Sequence, residues 1–477
     1  MTTDMGIKFG TDGWRAVIAK DFTFDNVRIV TQAIADYVNK YSFAANRKPR
    51  TAKRIIVGYD RRFMSDIYAK IISEVLAANN IKVLLTAAPT PTPAVSFAIK
   101  MKKLDGGVVV TASHNPPIFN GIKFKTPMAN SADEKVTGLI ESFLGKTKPR
   151  SLDIERAKKV RCLEFVDVGV DYVGFLRKYV DINRIKRANN RILVDYMYGA
   201  GIGYIEAVLG KYENLQSIRC ETDPSFGGIN PEPIPKNLEY SSEYIKKNKF
   251  DLCVALDGDA DRVGALRPDG NFITSGQIVS LILLHFLENR KLTGGVVKTI
   301  SGTTLIERIC NKYNLTMFET PVGFKYISAL MLKENILIGG EESGGIGFCG
   351  YIPERDGILS SLLLMEMLAY WHKSIGQIMK DMDKAYGRFC YDRIDMHYSI
   401  EKAAALTKKL KDNPPKAIVG KKVFKLKTYD GIKFILEDSS WLLLRFSGTE
   451  SFIRIYAEAG SDEQVQQLLD AGKTIIR

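Results

Sequence analysis

This 477-residue sequence has no CxxC pair, no long apolar run and no basic-then-apolar pattern at its amino terminus. Its six cysteines are scattered and form no CxxC pair, which fits buried thiols in a reducing compartment better than disulfides or zinc. No apolar stretch is long enough to cross a bilayer, and the amino terminus lacks a basic-then-apolar pattern. We therefore expect a cytoplasmic protein with no membrane partner.

Basic residues outnumber acidic residues, so the formal net charge is +14. Nucleic-acid binding is one interpretation of such a balance. The basic residues, however, occur in small dispersed groups such as Lys246, Lys247 and Lys249, and no basic stripe interleaved with aromatic residues stands out. We expect no nucleic-acid partner and attribute the excess to a solvated face or to a positive cleft that attracts small anionic substrates.

The remaining composition is that of a globular protein, with 45% hydrophobic and 26% charged residues. The length predicts roughly three or four domains. Apolar spacing predicts helices at 24–41 and 65–79, alternating with strands at 54–60, 82–86 and 108–110, which is typical of a parallel, doubly wound sheet. From about residue 388 several short strands and a hairpin turn at 429–431 indicate an α+β domain instead.

Ser113 follows a short run of valines, Val108 to Val110, that predicts a buried strand. The strand cannot continue through the small and polar residues 111–115 and the two prolines after them. Ser113 should then lie on a loop at the carboxyl end of a parallel strand, where open α/β sheets bind ligands. An ordinary polar turn with a bystander serine remains the alternative.

Three carboxylates at alternate positions, Asp257, Asp259 and Asp261, follow another predicted strand. Such a cluster is repulsive unless a cation lies within it, and hard oxygen ligands suit Mg²⁺. An EF-hand is rejected because Arg262 and Pro268 occupy the positions that require glycine and glutamate. A solvated acidic turn remains possible.

Three further segments have the composition of ligand-binding loops, although each is also compatible with an ordinary turn. The FGTDGWR turn at 9–15 ends in Arg15, whose guanidinium can reach a phosphate. The GGEESGG segment at 339–345 lets carboxylates and a hydroxyl approach a polyol closely. The RFSGTE segment at 445–450 combines a guanidinium, two hydroxyls and backbone amides in a plausible phosphate nest.

Together these sequence segments resemble the motifs of the α-D-phosphohexomutases, the phosphoglucomutase and phosphomannomutase enzymes. TASHNP with its FNGIK tail, DGDADR, and the three loops above occur in the family's order and spacing over essentially the whole chain. The sequence departs from the family at Ala16 and Ser451. The resemblance implies three similar doubly wound α/β domains plus a C-terminal α+β domain around a central cleft. We place the phosphoserine loop in 1–155, the metal loop in 160–268, the sugar-recognition loop in 269–384 and the phosphate-binding loop in 388–477.

The resemblance also implies roles for individual residues. Ser113 would carry the phosphoryl group and supply a fourth oxygen to Mg²⁺ held by the three aspartates, with Arg262 beside that group. The implied substrate-binding residues are Arg15, Lys325, Glu341, Ser343, Arg355, Arg445, Ser447, Gly448 and Thr449. The candidates for general acid or base are His114, Lys123, Lys325 and Arg355, of which arginine rarely gives up a proton and is better suited to an electrostatic role. His114 could equally serve only to fix the turn.

The expected reaction is reversible phosphoryl transfer between C1 and C6 of a hexose phosphate, with glucose 1-phosphate and glucose 6-phosphate as the first choice. A hexose 1,6-bisphosphate would be the intermediate and activator, and small sugar phosphates the partners of a monomer or homodimer. Phosphomannomutase and phosphoglucosamine mutase activities are alternatives on the same scaffold. A metal-dependent sugar-phosphate phosphatase and a non-catalytic sensor are alternatives from other classes.

Overall fold

The computed structural model describes residues 6–10, 12–41, 52–446 and 452–477. These residues form two compact units. The first unit contains the described residues up to Ile273 together with Ser328–Lys333 and Gly344–His372. The second contains Thr274–Ile327, Glu334–Ser343 and the described part of Lys373–Arg477. Within the described residues, no helix is both long and apolar enough to cross a membrane.

The first sheet of the first unit carries the loop at 111–118 that contains Ser113, which we call the serine loop. Its strands are β1 (Trp14–Val17), β2 (Arg54–Tyr59), β3 (Lys82–Thr86), β4 (Gly107–Val110), β5 (Phe119–Lys125) and β6 (Leu163–Val166), in the order β1-β5-β4-β2-β3-β6. Strands β4, β2 and β3 are parallel, as predicted, and β6 adds a further parallel strand that the sequence did not indicate. Strand β5 is antiparallel to β4, and β1 to β5, so the sheet is mixed. The serine loop is consequently the connection of a β4–β5 hairpin, which brings Lys123 beside Val109.

Five helices accompany this sheet, and the first two lie where the apolar spacing predicts them. They are α1 (Phe24–Lys40), α2 (Ser65–Ala78), α3 (Thr92–Met101), α4 (Glu134–Glu141) and α5 (Ile154–Lys159). The repeating residues Val27, Val30, Ile34 and Val38 of α1 are all buried, and the Thr23 hydroxyl caps the helix by accepting from the Asn26 amide. Strand β6 extends this sheet beyond residue 160, where we placed the start of the second domain; that boundary remains a prediction.

The second sheet of the first unit carries the DGDADR loop at 257–262, which we call the acidic loop. Its strands are β7 (Ile192–Asp195), β8 (Leu215–Ile218), β9 (Leu252–Leu256), β10 (Val263–Leu266) and β11 (Phe272–Ile273), in the order β11-β10-β9-β7-β8. Strands β7, β8 and β9 are parallel, whereas β10 turns back antiparallel to β9. The acidic loop is therefore the turn of a β9–β10 hairpin. The associated helices are α6 (Gly169–Tyr179), α7 (Ile182–Ala188), α8 (Tyr204–Leu209) and α9 (Glu239–Asn248), with 3-10 turns at Phe226–Gly228 and Pro235–Asn237.

The next segment of the chain contributes to both units. Its elements are α10 (Ser275–Glu288), β12 (Gly295–Thr299), α11 (Thr304–Lys312), β13 (Met317–Thr320), α12 (Phe324–Met331), β14 (Ile336–Gly340), β15 (Ile346–Phe348), α13 (Gly357–Trp371) and α14 (Ile375–Tyr386). In the second unit, β12 pairs in parallel with both β13 and β14. In the first unit, α13 is apolar and buried along most of its length and packs against α7, β9 and β10.

The last segment forms an antiparallel sheet in the second unit, which confirms the predicted α+β class. Its elements are β16 (Cys390–His397), α15 (Ile400–Asp412), β17 (Ala417–Ile418), β18 (Lys421–Lys427), β19 (Ile432–Leu436), β20 (Trp441–Phe446), β21 (Phe452–Ala459) and α16 (Asp462–Ile475). The strand order is β16-β21-β20-β19-β18-β17, and each neighbouring pair is antiparallel. Strand β16 and helix α15 were not anticipated from the sequence.

Candidate functional site

Ser113 lies immediately past β4, as predicted, and its backbone has a left-handed φ of 53°. The residue is buried, with 1% of its surface exposed. Its amide donates to Thr111 Oγ1 at 2.8 Å, and its Oγ donates to Asp257 Oδ2 at 2.9 Å. The His114 Nδ1 atom lies 3.5 Å from the same Oγ. The serine hydroxyl therefore faces the acidic loop rather than solvent.

The acidic loop is a tight turn that directs three carboxylates to one point. Ala260 adopts a left-handed φ of 58°, its amide donates to the Asp257 carbonyl, and the Arg262 amide donates to Asp257 Oδ1 at 3.1 Å. One carboxylate oxygen from each of Asp257, Asp259 and Asp261 lies within 4.8 Å of the others, and all three residues are buried. The alternate spacing in the sequence thus becomes a cluster in space.

Gly258 is the point at which the acidic loop and the serine loop touch. A Cβ atom built at this position would lie 2.5 Å from the Ser113 carbonyl oxygen and 3.2 Å from Pro231 Cγ. Any side chain here would separate the two loops. The glycine of DGDADR therefore permits the short distance between Ser113 and the aspartates.

The carboxylate cluster has the donor set of a hard cation site. Asp259 Oδ1 and Asp261 Oδ1 are buried and have no hydrogen-bond partner among the described residues. Burial raises the pKa of Asp257 well above its usual value, and the neighbouring Asp259 and Asp261 charges raise it further. Buried oxygen atoms without donors, crowded by like charge, fit a divalent ion such as Mg²⁺.

Lys123, from β5, is embedded among carboxylates. Its Nζ lies 2.8 Å from Asp259 Oδ2, 3.1 Å from Asp261 Oδ2 and 3.0 Å from Asp12 Oδ2. Burial disfavours the charged amine, but these three carboxylates outweigh it and raise the pKa of Lys123 above its usual value. Lys123 is therefore held as a cation, which favours an electrostatic role over proton transfer.

Asp12 is a central residue of the site that the sequence did not single out. It accepts from Arg355 Nη2 at 2.7 Å, and the same Nη2 donates to Asp261 Oδ2 at 2.7 Å. Burial raises the pKa of Asp12, but Lys123, Lys125 and Arg355 lower it to a value well below the usual range. Its FGTDG segment was interpreted only as a turn that presents Arg15. The ionised Asp12 instead links Lys123 to Arg355.

His114 is surrounded by positive charge. Burial lowers its pKa well below the usual value, and the charges of Arg262, Arg15 and Lys123 lower it further, so the imidazole is neutral near pH 7. Arg15 Nη1 donates to Asn115 Oδ1 at 2.6 Å, which fixes its guanidinium against the serine loop. Arg262 Nε lies 3.8 Å from Asp261 Oδ1. The charges of Arg15, Arg262 and Lys123 thus act on His114, which lies next to Ser113 Oγ.

Thr92, at the start of α3, also belongs to this site although no pattern in the sequence pointed to it. Its Oγ1 donates to Asp259 Oδ2 at 2.5 Å, and its amide donates to the Asp259 carbonyl at 3.0 Å. Thr92, in a helix that accompanies the first sheet, therefore fixes Asp259, the middle aspartate of the cluster.

The remaining predicted residues belong to the second unit. Glu341 is buried directly after β14, and Ser343 is half-buried. Lys325 lies in α12, with its Nζ 5.2 Å from the Tyr326 ring centroid. Arg445, in β20, has its Nε 2.9 Å from Asp430 Oδ1, and Asp430 Oδ2 also accepts from the Val322 amide at 2.7 Å. The other predicted clamp residues, Ser447, Gly448 and Thr449, lie outside the described residues.

Four domain families match consecutive parts of the chain. Phosphoglucomutase/phosphomannomutase alpha/beta/alpha domains I, II and III match residues 6–151, 170–270 and 274–386, and the C-terminal domain of the same enzymes matches 400–472. The four matches follow the order predicted for the four loops.

Individual relatives match over nearly their whole length. A phosphoglucomutase/phosphomannomutase from Thermococcus kodakarensis is 30% identical over 98% of both chains. A phosphoglucosamine/phosphogalactosamine mutase from Sulfurisphaera tokodaii is 30% identical over 99% of both. A solved structure from Thermus thermophilus, described as a candidate phosphomannomutase, has a TM-score of 0.86 and 33% identity and covers 98% of this chain and 99% of its own. From these matches and from the motifs, this chain belongs to the α-D-phosphohexomutase family, the phosphoglucomutase/phosphomannomutase enzymes.

Proposed function

We propose that this chain interconverts the 1-phosphate and the 6-phosphate of a hexose by way of a phosphorylated Ser113. The observation that carries the proposal is the 2.9 Å hydrogen bond from Ser113 Oγ to Asp257 Oδ2, which puts a buried hydroxyl against a cluster of three carboxylates. A serine with no part in the chemistry would need neither the strained backbone nor the acidic neighbours.

Each half-reaction exchanges one oxygen–phosphorus bond for another. The bond between phosphorus and Ser113 Oγ breaks as a sugar hydroxyl oxygen bonds to the phosphorus, and the hydroxyl proton passes to a base. The product is a hexose 1,6-bisphosphate, which must turn over so that its other phosphate returns to Ser113. That second transfer leaves the isomeric monophosphate, and free bisphosphate would reload an enzyme that had lost its phosphoryl group.

The charges around Ser113 suit a dianion. A phosphoserine carries nearly two negative charges at neutral pH, and the cations Arg15, Arg262 and Lys123 lie around His114 and the serine loop. The donor set Asp257, Asp259 and Asp261, with Ser113, would hold Mg²⁺. When bound, Mg²⁺ supplies Lewis-acid stabilisation of the charge that develops on the transferring group.

His114 is the proton acceptor that the site supports best. Its Nδ1 lies 3.5 Å from Ser113 Oγ, and its lowered pKa keeps the imidazole neutral and able to accept a proton. The raised pKa of Lys123 and the pairing of Arg355 with Asp12 and Asp261 favour electrostatic roles for those two residues.

We propose glucose phosphates as the first substrate to test. The support is the GEESGG motif, in which Glu341 and Ser343 would hydrogen-bond the sugar hydroxyls. Lys325 and Arg355 would make further contacts with the substrate. Arg445, Ser447, Gly448 and Thr449 would hold the phosphate that does not react. The name of the Sulfurisphaera tokodaii relative favours amino-sugar phosphates as a second candidate, and that of the Thermococcus kodakarensis relative also includes mannose phosphates.

The test compares Ser113→Ala with Ser151→Ala, a matched change at an exposed serine. Conversion of glucose, mannose and glucosamine 1-phosphates to their 6-phosphates is measured with added bisphosphate and Mg²⁺, and released phosphate is measured in parallel. We expect isomerisation without phosphate release in the wild type and in Ser151→Ala, and none in Ser113→Ala. Wild-type turnover by Ser113→Ala would refute the phosphoserine mechanism, and phosphate release without isomer would indicate a phosphatase.

A further inference from the structure

We propose that Arg62 is a positioning residue for phosphoryl transfer, acting with Asp60 and Thr111 on the backbone of Ser113. The inference rests on the proposed function of Ser113 and adds to it the group that orients the serine. Arg62 stands just after β2, outside every motif described above.

The Arg62 guanidinium binds the serine loop from behind. Its Nη2 donates to the carbonyl oxygens of Ser113 and Asn115, each at 2.6 Å, and its Nη1 donates to those of Pro116 at 2.9 Å and Phe119 at 3.0 Å. Four backbone carbonyls of one short loop thus converge on a single side chain. Their partial negative charges would repel one another without a cation among them.

The opposite side of the Ser113 residue is held through Asp60. The Ser113 amide donates to Thr111 Oγ1 at 2.8 Å, and the Thr111 hydroxyl donates in turn to Asp60 Oδ2 at 2.6 Å. Asp60 Oδ2 also lies 3.3 Å from Arg62 Nε, and the side chains of both Asp60 and Arg62 are fully buried. A single buried ion pair therefore fixes both the amide and the carbonyl of Ser113.

This arrangement explains how a non-glycine residue keeps a left-handed conformation at the reacting position. The φ of 53° at Ser113 persists only where the surroundings determine it, and here both of its peptide groups are bound. Arg62 bonds only to backbone carbonyls of the loop, and its charged group is also covered by the Phe226 ring, 5.0 Å away. Arg62 therefore acts through the backbone, so it is not a catalytic residue.

A lysine at position 62 would keep the charge but lose the fork of donors. One ammonium cannot reach the two pairs of carbonyls that Nη1 and Nη2 serve. We expect the loop to loosen and Ser113 Oγ to lose its alignment with Asp257. A misplacement of about 1 Å in a reacting group lowers a rate by about 100-fold.

The experiment measures transfer from the phosphorylated enzyme itself. Wild type, Arg62→Lys and Thr111→Val are loaded with glucose 1,6-bisphosphate, and the fraction carrying phospho-Ser113 is measured by mass. A single-turnover reaction with glucose 1-phosphate then gives the rate constant per phosphoserine, well below the unfolding temperature of each variant. Arg61→Met is the matched control, since the neighbouring Arg61 donates to Thr222 Oγ1 and has no hydrogen bond to the serine loop among the described residues.

We expect the rate constant per phosphoserine to fall by about 100-fold in Arg62→Lys and about tenfold in Thr111→Val. The KM of these two variants should change little, and Arg61→Met should have the rate constant of the wild type. A merely structural role would lower the unfolding temperature and the phosphorylated fraction but leave that rate constant unchanged, and this result would overturn the proposal. Turnover by Ser113→Ala would instead overturn the underlying function, so the two failures are distinguishable. Thr111→Val keeps the test decisive if Arg62→Lys does not fold.

Discussion

Gly258→Ala tests directly whether activity depends on the contact between the acidic loop and the serine loop. Gly258 does not have a left-handed φ, so an alanine there meets no backbone strain. The new methyl group would, however, lie 2.5 Å from the Ser113 carbonyl oxygen. The substitution therefore adds one carbon atom, which meets the Ser113 carbonyl and, less closely, Pro231, and it changes no charge.

The size of the effect follows from that distance. An ordinary contact between carbon and oxygen is about 3.3 Å, so the two loops must separate by roughly 0.8 Å. The obstructing atom is backbone oxygen, which is itself held by Arg62 and cannot rotate away. A displacement near 1 Å costs about 100-fold in rate, or about 2.7 kcal/mol of transition-state stabilisation. Overpacking of this kind also lowers the free energy of unfolding by about 1–3 kcal/mol.

The assay is the steady-state conversion of glucose 1-phosphate at saturating Mg²⁺, together with urea unfolding. Gly174→Ala, in α6, is the matched control because a Cβ there meets no atom within 4 Å. We expect this control to keep full activity and to gain about 0.5–1 kcal/mol of stability from the helix. If Gly258→Ala had wild-type kcat and stability, the close approach of the two loops would be wrong, and with it the geometry assigned to the site.

Two other predictions address the charges of the first unit. Asp259→Asn should weaken Mg²⁺ binding by at least about tenfold, because it removes one charge from the donor set and the loss of even an outer partner of a metal ligand costs about 10–100-fold; a calorimetric Mg²⁺ titration that matches the wild type would contradict the ligand role. Asp356 caps α13 and accepts from the hydroxyls of Tyr172 and Tyr351, and burial raises its pKa from 3.8 to about 6. Because the folded state holds this proton more tightly, the resulting stability is present below about pH 4 and is lost as the pH rises through 6, by roughly 3 kcal/mol. Asp356→Asn should lack this pH dependence. The difference in the free energy of unfolding between the variant and the wild type should therefore change by roughly 3 kcal/mol between pH 4 and pH 7. A difference that does not vary with pH would refute the assignment.

Local patterns in the sequence were sufficient for many helices and strands. The apolar spacing of α1 and the valine run of β4 each encode one element, because burial of one face requires only neighbouring residues. The antiparallel direction of β5 and β10 was not predicted, since pairing depends on where the chain returns after a loop. Strand β16 pairs with β21, and residues 390 and 459 are partners in that register, so no local pattern specifies it.

Residue order alone was enough to predict the loops of the candidate site, with Ser113 after a buried strand and three aspartates at alternate positions, and to supply the motifs that place the chain in its family. The partners of those groups became visible in the folded chain. Asp12, Thr92 and Arg62 are distant in sequence from the side chains and carbonyls that they contact, and folding brings these separate segments of the chain together. Folding also sets the charges: close carboxylates hold Lys123 as a cation against the effect of burial, whereas burial and close cations keep His114 neutral. Residue types fix what chemistry is possible, whereas distance and desolvation fix which protonation state each group holds.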